Sequence, residues 1–377
     1  MSTIAVNAVT DANGGNTATI NSMTPTADSL QGFRNRIING DMRIDQRNAG
    51  AAVTINTTSN TYTLDRWTGV GQNTDGVFTV DQVTEAPAGF TNSAKITVTT
   101  ADASIGATQS YLLSQFIEGN NIADLGWGAA GAKTITVSFW VRSSLTGTFG
   151  GALNNSANDR GYPFTYSISA ANTWEYKTIT IAGDTSGTWL TDTGRGIALR
   201  FQIGAGSDRI STAGSWTGTS QIYGATGATN IISTVNADWY ITGVQLEVGS
   251  VPSSFERRPY GTELALCQRY YYKIIGSDIS RFGLGYVVDG TRAYIMTTFP
   301  TTMRTSPTAV EQTGTAANYG VLTGVTSTAC SSVPTFNVAS EWLAFTQFTV
   351  ASGLTAGQSI SGRPLTSSVY LGWSAEL

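Results

Sequence analysis

The chain of 377 residues contains no histidine. The commonest general base and metal ligand is therefore missing, so Ser-His-Asp triads and histidine-bound zinc centres are excluded. Cysteine is almost as scarce. Cys267 and Cys330 are too few and too far apart for a zinc cluster, and buried free thiols are expected of them rather than a disulfide. Charged residues make up 12% of the chain, about half the share of an ordinary globular domain, and the formal net charge is −4. With no run of Lys or Arg, nucleic-acid binding through phosphate neutralisation is not expected. Nowhere do about eighteen apolar residues follow one another, which argues against membrane insertion. The N-terminus, MSTIAVNAVTDANGGNTATI, lacks the basic segment and apolar run of a signal peptide, so export by that route is not expected.

What is present points to strands. The chain carries 42 Gly, is rich in Thr, Ser, Ala and Asn, and has almost no stretch of helix formers at helical spacing; this composition predicts all-β architecture with many turns. KITVTT (95–100), KTITVSFWVRSS (133–144), TWEYKTITIA (173–182), GIALRFQIG (196–204) and WYITGVQLEV (239–248) each alternate apolar and polar residues. Ile135, Val137, Phe139 and Val141 share one face, as do Ile197, Leu199, Phe201 and Ile203. Such alternation predicts an antiparallel sandwich with one face of each sheet buried.

Charge is concentrated in FRNRIINGDMRIDQRN (33–48), where Asp41, Arg43, Asp45 and Arg47 recur at every second position. That period predicts a strand, with Ile38, Met42 and Ile44 inward and the charges forming a ladder that selects strand register or a subunit contact. Residues 1–32 carry too few large apolar side chains for a core of their own and read as an attachment arm. In SVPSSFERRPYGTELALCQRYYYK (250–273), Pro252 and Pro259 bound an extended link. A short helix is expected from Thr262, its N-cap, with Leu264, Cys267 and Tyr271 as an apolar stripe. Strand patterns then return. The organisation predicted is an arm (1–32), a sandwich domain (33–258), a helical linker (259–275) and a smaller distal β domain (276–377).

The segments NRIINGDMRIDQRNAG, YTLDRW (62–67), SFWVRSS (138–144), WYITGVQLEVGSVPSSFERRPYGTELALCQRYYYK (239–273) and FPTTMRTSPT (299–308) resemble a family of bacteriophage tail fibre and receptor-binding proteins. The resemblance spans about residues 1 to 310. It implies an antiparallel jelly roll like a carbohydrate-binding module, followed by the short helical link and a smaller distal β-sandwich whose ligand varies between phages. It also implies a homotrimer attached to the tail or baseplate through residues 1–32, assembled in the host cytoplasm and carried in the virion. No catalytic residue is carried over, because these motifs mark a frame rather than chemistry.

The function expected is recognition of a host surface polysaccharide, without catalysis. Sugar rings present C–H faces that stack on aromatic rings flanked by polar groups. In Gly/Ser/Thr loops the candidates are Trp127, Trp189, Trp216 and Tyr223, each either a sugar platform or a loop anchor; Trp140, Trp174 and Trp239 lie in strands and are expected in the core. In the distal domain, Trp342 and Trp373 are candidates, although in EWLAFTQFTV the face of Trp342, Ala344, Thr346, Phe348 and Val350 is the expected core face, with Leu343 and Phe345 partly covered. Two other classes remain: a structural virion protein without receptor contact, and a glycosidase using Asp41 with Asp45 or Asp184 with Asp192. Neither acid pair sits among aromatic groups, and no β-helix repeat is present. No cofactor is expected; a structural Ca²⁺ is common in carbohydrate-binding jelly rolls, but no EF-hand-like spacing indicates one.

Overall fold

The computed structural model describes residues 32–72, 75–277, 280–367 and 369–377. The chain divides into two compact units. One contains Ala52–Thr61, Trp67–Arg257 and the residues up to Arg43, and the other Ile44–Ala51, Tyr62–Arg66 and Arg258–Leu377. The expected arm lies outside the described residues except for its last position.

The first unit is an antiparallel jelly-roll sandwich. Its first sheet runs in the order Val53–Ile55, Val77–Val83, Ser93–Thr100, Asp238–Val248, Ile135–Ser143, Glu175–Ile181. In its second sheet Trp67–Val70 is followed by Ser110–Glu118, Arg195–Ala205, Gly147–Asn154 and Gly161–Ile168. The chain crosses repeatedly between the two sheets, so inward residues of both build one core. Ile135, Val137, Phe139 and Val141 are buried from one sheet, and Ile197, Leu199, Phe201 and Ile203 from the other. The Phe201 ring is the meeting point, with centroids 5.1 Å from Phe139, 5.6 Å from Trp239 and 6.4 Å from Trp67.

The charged stretch does not form the expected strand. Residues 33–50 make turns and irregular extended segments, because Asn39 (φ 57) and Met42 (φ 58) take left-handed backbone and break the period of two. Ile37, Ile38, Met42 and Ile44 are buried all the same. Asp41 pairs with Arg43 beside it, while Asp45 accepts the backbone N–H groups of Asn48 (2.9 Å) and Gly50 (2.8 Å), so no ladder of charges forms. The Asn35 amide ties the stretch to the Asp238–Val248 strand, donating to the Val244 carbonyl (3.0 Å) and accepting from the Leu246 N–H (3.0 Å). Glu256 accepts from the N–H groups of Arg34 (3.1 Å) and Asn35 (2.9 Å).

The second unit has a seven-stranded antiparallel sheet ordered Thr326–Ala329, Tyr319–Thr323, Ser359–Pro364, Gly283–Val287, Arg292–Thr298, Leu343–Thr349, Thr335–Ala339. A smaller sheet places Tyr370–Ser374 between Tyr271–Ile275 and Glu311–Gln312. Phe282, Ile295, Tyr319, Phe348, Leu371 and Trp373 lie in its core. The helix Tyr260–Gln268 and the strand after it therefore count with this unit, where a linker was expected. Pro259, not Thr262, is the N-cap; its carbonyl accepts from the N–H groups of Thr262 (3.0 Å) and Glu263 (3.1 Å). The buried positions of the helix are Glu263, paired with Arg258 at 3.2 Å, and Cys267. Leu264 is half-buried and Tyr271 starts a strand. Both cysteines are free and buried, and burial pushes the Cys330 thiol up to about 12. Among the described residues no helix is long and apolar enough to cross a membrane.

Candidate functional site

Among the described residues of the first unit, concavities open on the outer faces of both sheets. The larger, about 470 Å³, lies on the outer face of the first sheet and is lined by Phe90, Trp140, Tyr176, Phe255 and Arg257, with Pro252 to Ser254 at its rim. Strand parity explains the rings, since Phe139 and Val141 point inward and Trp140 between them must point out. Tyr176 stands directly opposite Trp140 across the sheet, their centroids 5.4 Å apart, and is 42% exposed. Phe90 and Phe255 form an edge-to-face pair at 5.2 Å, and Arg257 lies 4.6 Å above Phe90. The groove forms where the Asp238–Val248 strand shifts register against Ile135–Ser143 between Thr242 and Gln245. Gly243 sits in that bulge with φ +62, and a Cβ there would come within 2.7 Å of Phe90 and 3.2 Å of Trp140. Only glycine lets these rings close over the bulge.

The second concavity, about 370 Å³, lies on the outer face of the second sheet. Ala198, Arg200 and Gln202 alternate with the inward residues of Arg195–Ala205 and so face outward, yet Arg200 is only 5% exposed. Arg195, Arg200, Arg209, Tyr223 and Gln221 line the pocket together with Asn158. Arg200 donates to the side-chain carbonyls of Asn154 (3.1 Å) and Asn158 (3.1 Å), and Arg195 donates to the same Asn158 oxygen (3.2 Å). The guanidinium of Arg200 lies 4.6 Å from the Tyr223 ring centroid and that of Arg209 5.8 Å. Burial, and after it the Arg195 charge, pulls the Arg200 pKa down to about 9, with Tyr223 opposing.

Of the expected site residues, Trp189 and Trp216 come together, but in a ring cluster. Of the five ligand candidates, Tyr223 lines the second concavity. Trp189 is buried and forms a three-ring cluster with Trp127 (4.7 Å) and the half-buried Trp216 (5.5 Å). Their indole N–H groups are taken by backbone carbonyls, Trp127 to Lys133 (2.8 Å), Trp189 to Ser186 (3.2 Å) and Trp216 to Ala182 (2.7 Å). That arrangement anchors loops. Trp373 is wholly buried, stacked on Tyr272 at 6.3 Å, and is a core residue rather than a ligand platform. Ala344, Thr346, Phe348 and Val350 are buried as the alternation predicts, but Trp342, just before the strand begins, is 66% exposed. Conversely Trp140 and Trp174, expected in the core, lie half-buried on outward positions, whereas Trp239 is buried.

The acidic residues considered for hydrolysis are engaged as structural partners. Asp184 receives both a 2.7 Å bond from Arg160 Nε and one of 2.7 Å from its Nη2, and Asp192 caps the Gly194 N–H at 2.8 Å. Among the described residues no group of three or more acidic or cysteine side chains is placed to hold a metal ion.

No protein-family model and no curated protein sequence matches the chain. Among solved structures, the chain is similar to an enzymatically active domain of tailspike protein 4 of bacteriophage CBA120, at 12% identity and TM-score 0.32 over 57% of this chain. The match spans 22% of that tailspike chain. A putative sugar binding protein from Bacteroides thetaiotaomicron matches over 57% of this chain and all of its own, at 13% identity and TM-score 0.33. A family 11 carbohydrate-binding module from Clostridium thermocellum, in complex with a β-1,3-1,4-mixed-linked tetrasaccharide, matches over 54% of this chain and all of its own, at 13% identity and TM-score 0.28. At such scores the fold rests on the strand order described above.

Proposed function

We propose that the chain is a saccharide-binding protein of a bacteriophage tail fibre, taking up host surface polysaccharide in the groove of Phe90, Trp140, Tyr176 and Phe255. The observation that carries this reading is the groove itself, a concavity of ligand size with aromatic rings on its walls and serines and an arginine at its rim. Aromatic walls with a few polar groups suit the two faces of a sugar ring. The step proposed is binding, with no bond made or broken. The phage assignment draws on the resemblance of residues 1 to 310 and includes a homotrimer, attachment through residues 1–32, assembly in the host cytoplasm and a place in the virion.

A second reading puts receptor contact on the second unit, because Trp342 is exposed there. Outward positions of its large sheet are also apolar: Leu284 and Tyr286 are exposed, and Tyr286 packs edge-on to Tyr294 at 5.9 Å. Such a face suits a neighbouring subunit or a ligand. Blocking of phage adsorption by purified fibre separates the readings. Loss of blocking with Trp140→Ala and retention with Trp342→Ala supports the groove; the reverse result overturns it in favour of the second unit.

A further inference from the structure

The arginine pocket on the second sheet is left unused by the aromatic groove, and its chemistry is different. None of the residues lining it is acidic among the described residues. Arg200 spends two donors on neutral side-chain amides, Asn154 and Asn158, and shares the Tyr223 ring with Arg209. Arg209 donates through Nε to a backbone carbonyl, that of Thr108 at 2.8 Å. A guanidinium kept 5% exposed beside a second one, with amides rather than carboxylates as acceptors, is costly to fold. An incoming anion offsets that cost. Planar guanidinium groups also bind carboxylates through paired hydrogen bonds.

We propose that this pocket binds the carboxylate of an acidic saccharide, so that the first unit holds anionic glycans at a second site remote from the aromatic groove. The inference rests on the saccharide-binding reading above and adds a ligand class to it. Carboxylate recognition falls to Arg200 and Arg209. Thr58, Asn60, Ser110 and Gln221 also line the cavity and are suited to sugar hydroxyls, which favours a saccharide over a bare inorganic anion. The wall carries strain consistent with a shaped site, for Asn158 (φ 55) and Gln221 (φ 61) are both left-handed without being glycine. Their backbones are joined by a 2.7 Å hydrogen bond from the Gln221 N–H to the Asn158 carbonyl.

The test is calorimetric titration of the full chain with tri-galacturonic acid, a hyaluronan fragment and sialyllactose, each beside a neutral counterpart: the methyl esters for the first two, and lactose. Inorganic phosphate is titrated as the bare anion. At least one acid is expected to bind about tenfold or more tighter than its neutral counterpart and than phosphate, with affinity falling as salt rises. Arg209→Gln should erase that preference while Trp140→Ala leaves it intact. Arg200→Gln is the sharper variant but removes a buried group, so Arg209→Gln, at the end of the short 3-10 helix Ser207–Arg209, decides if the former fails to fold. Equal affinity for acids and neutral counterparts, or no binding of any acid, overturns the proposal. So does phosphate binding as tight as the acids, or a preference that survives Arg209→Gln. Neutral-glycan binding that depends on Trp140, with no acid preference, removes this inference and leaves the groove reading standing.

Discussion

The guanidinium of Arg47 lies 3.5 Å from the centroid of the Tyr271 ring. It also reaches Glu311 at 3.3 Å and Glu376 at 3.5 Å, and Arg66 pairs with the same Glu376 while lying 3.5 Å above Tyr270. Within the second unit, residues 44–51 and 62–66 are thereby knitted to Tyr270, Tyr271, Glu311 and Glu376, with Glu376 as the shared acid.

Glu376→Gln should therefore be severe. It removes the carboxylate paired with Arg66, a fully buried side chain, and breaking a buried pair from one side costs about 3–5 kcal/mol. A urea titration should show the loss. A change below about 1 kcal/mol would mean the pair is solvated in solution.

Stability should also depend on Asp65 in an unusual direction. Burial raises its carboxyl from 3.8 to about 6, against the bonds it accepts from Gln46. The folded state then holds the proton more tightly than the unfolded one. The stabilisation is fully present below the unfolded value and lost as pH rises through the folded one. Relative to Asp65→Asn, the wild type should lose stability between about pH 4 and about pH 6.5. A flat difference across that window would show that Asp65 is ionised throughout.

Gly243→Ala is expected to cost at least about 1 kcal/mol, because alanine resists a positive φ and its Cβ meets the Phe90 ring. Saccharide binding should fall with it, since Phe90 and Trp140 must separate. Unchanged stability and unchanged binding in the same variant would remove the bulge from the description of the groove.

The tryptophan cluster predicts the opposite pattern. Trp189→Ala opens a cavity between Trp127 and Trp216 and should destabilise the first unit by about 3–5 kcal/mol. Binding per folded molecule should stay at the wild-type level. A specific loss of glycan binding in a fully folded Trp189→Ala protein would return this residue to the ligand site.

Much of the groove was legible from strand parity alone. Once Ile135, Val137, Phe139 and Val141 are assigned inward, Trp140 is outward, and treating every strand tryptophan as core overrode that inference. Arg200 obeys the same rule, being outward between Leu199 and Phe201. Its burial was not legible, because the cover over that face of the strand comes from residues distant in sequence. Trp189 and Trp216 misled for a related reason: a tryptophan in a polar loop looks solvent-facing until the other rings that enclose it are known.

The sequence by itself determined the all-β class and the inward faces of strands such as Ile135–Ser143 and Arg195–Ala205, since alternation is a local property that any sheet partner must respect. It also excluded histidine chemistry outright. Tertiary structure alone decided that the 33–50 stretch turns at Asn39 and Met42, that Arg47 lies against Tyr271, and that Phe90 and Phe255 join Trp140 and Tyr176 around one groove. Those outcomes depend on which distant segments share a volume. Chain closure and packing set that, and a period of two carries no record of it.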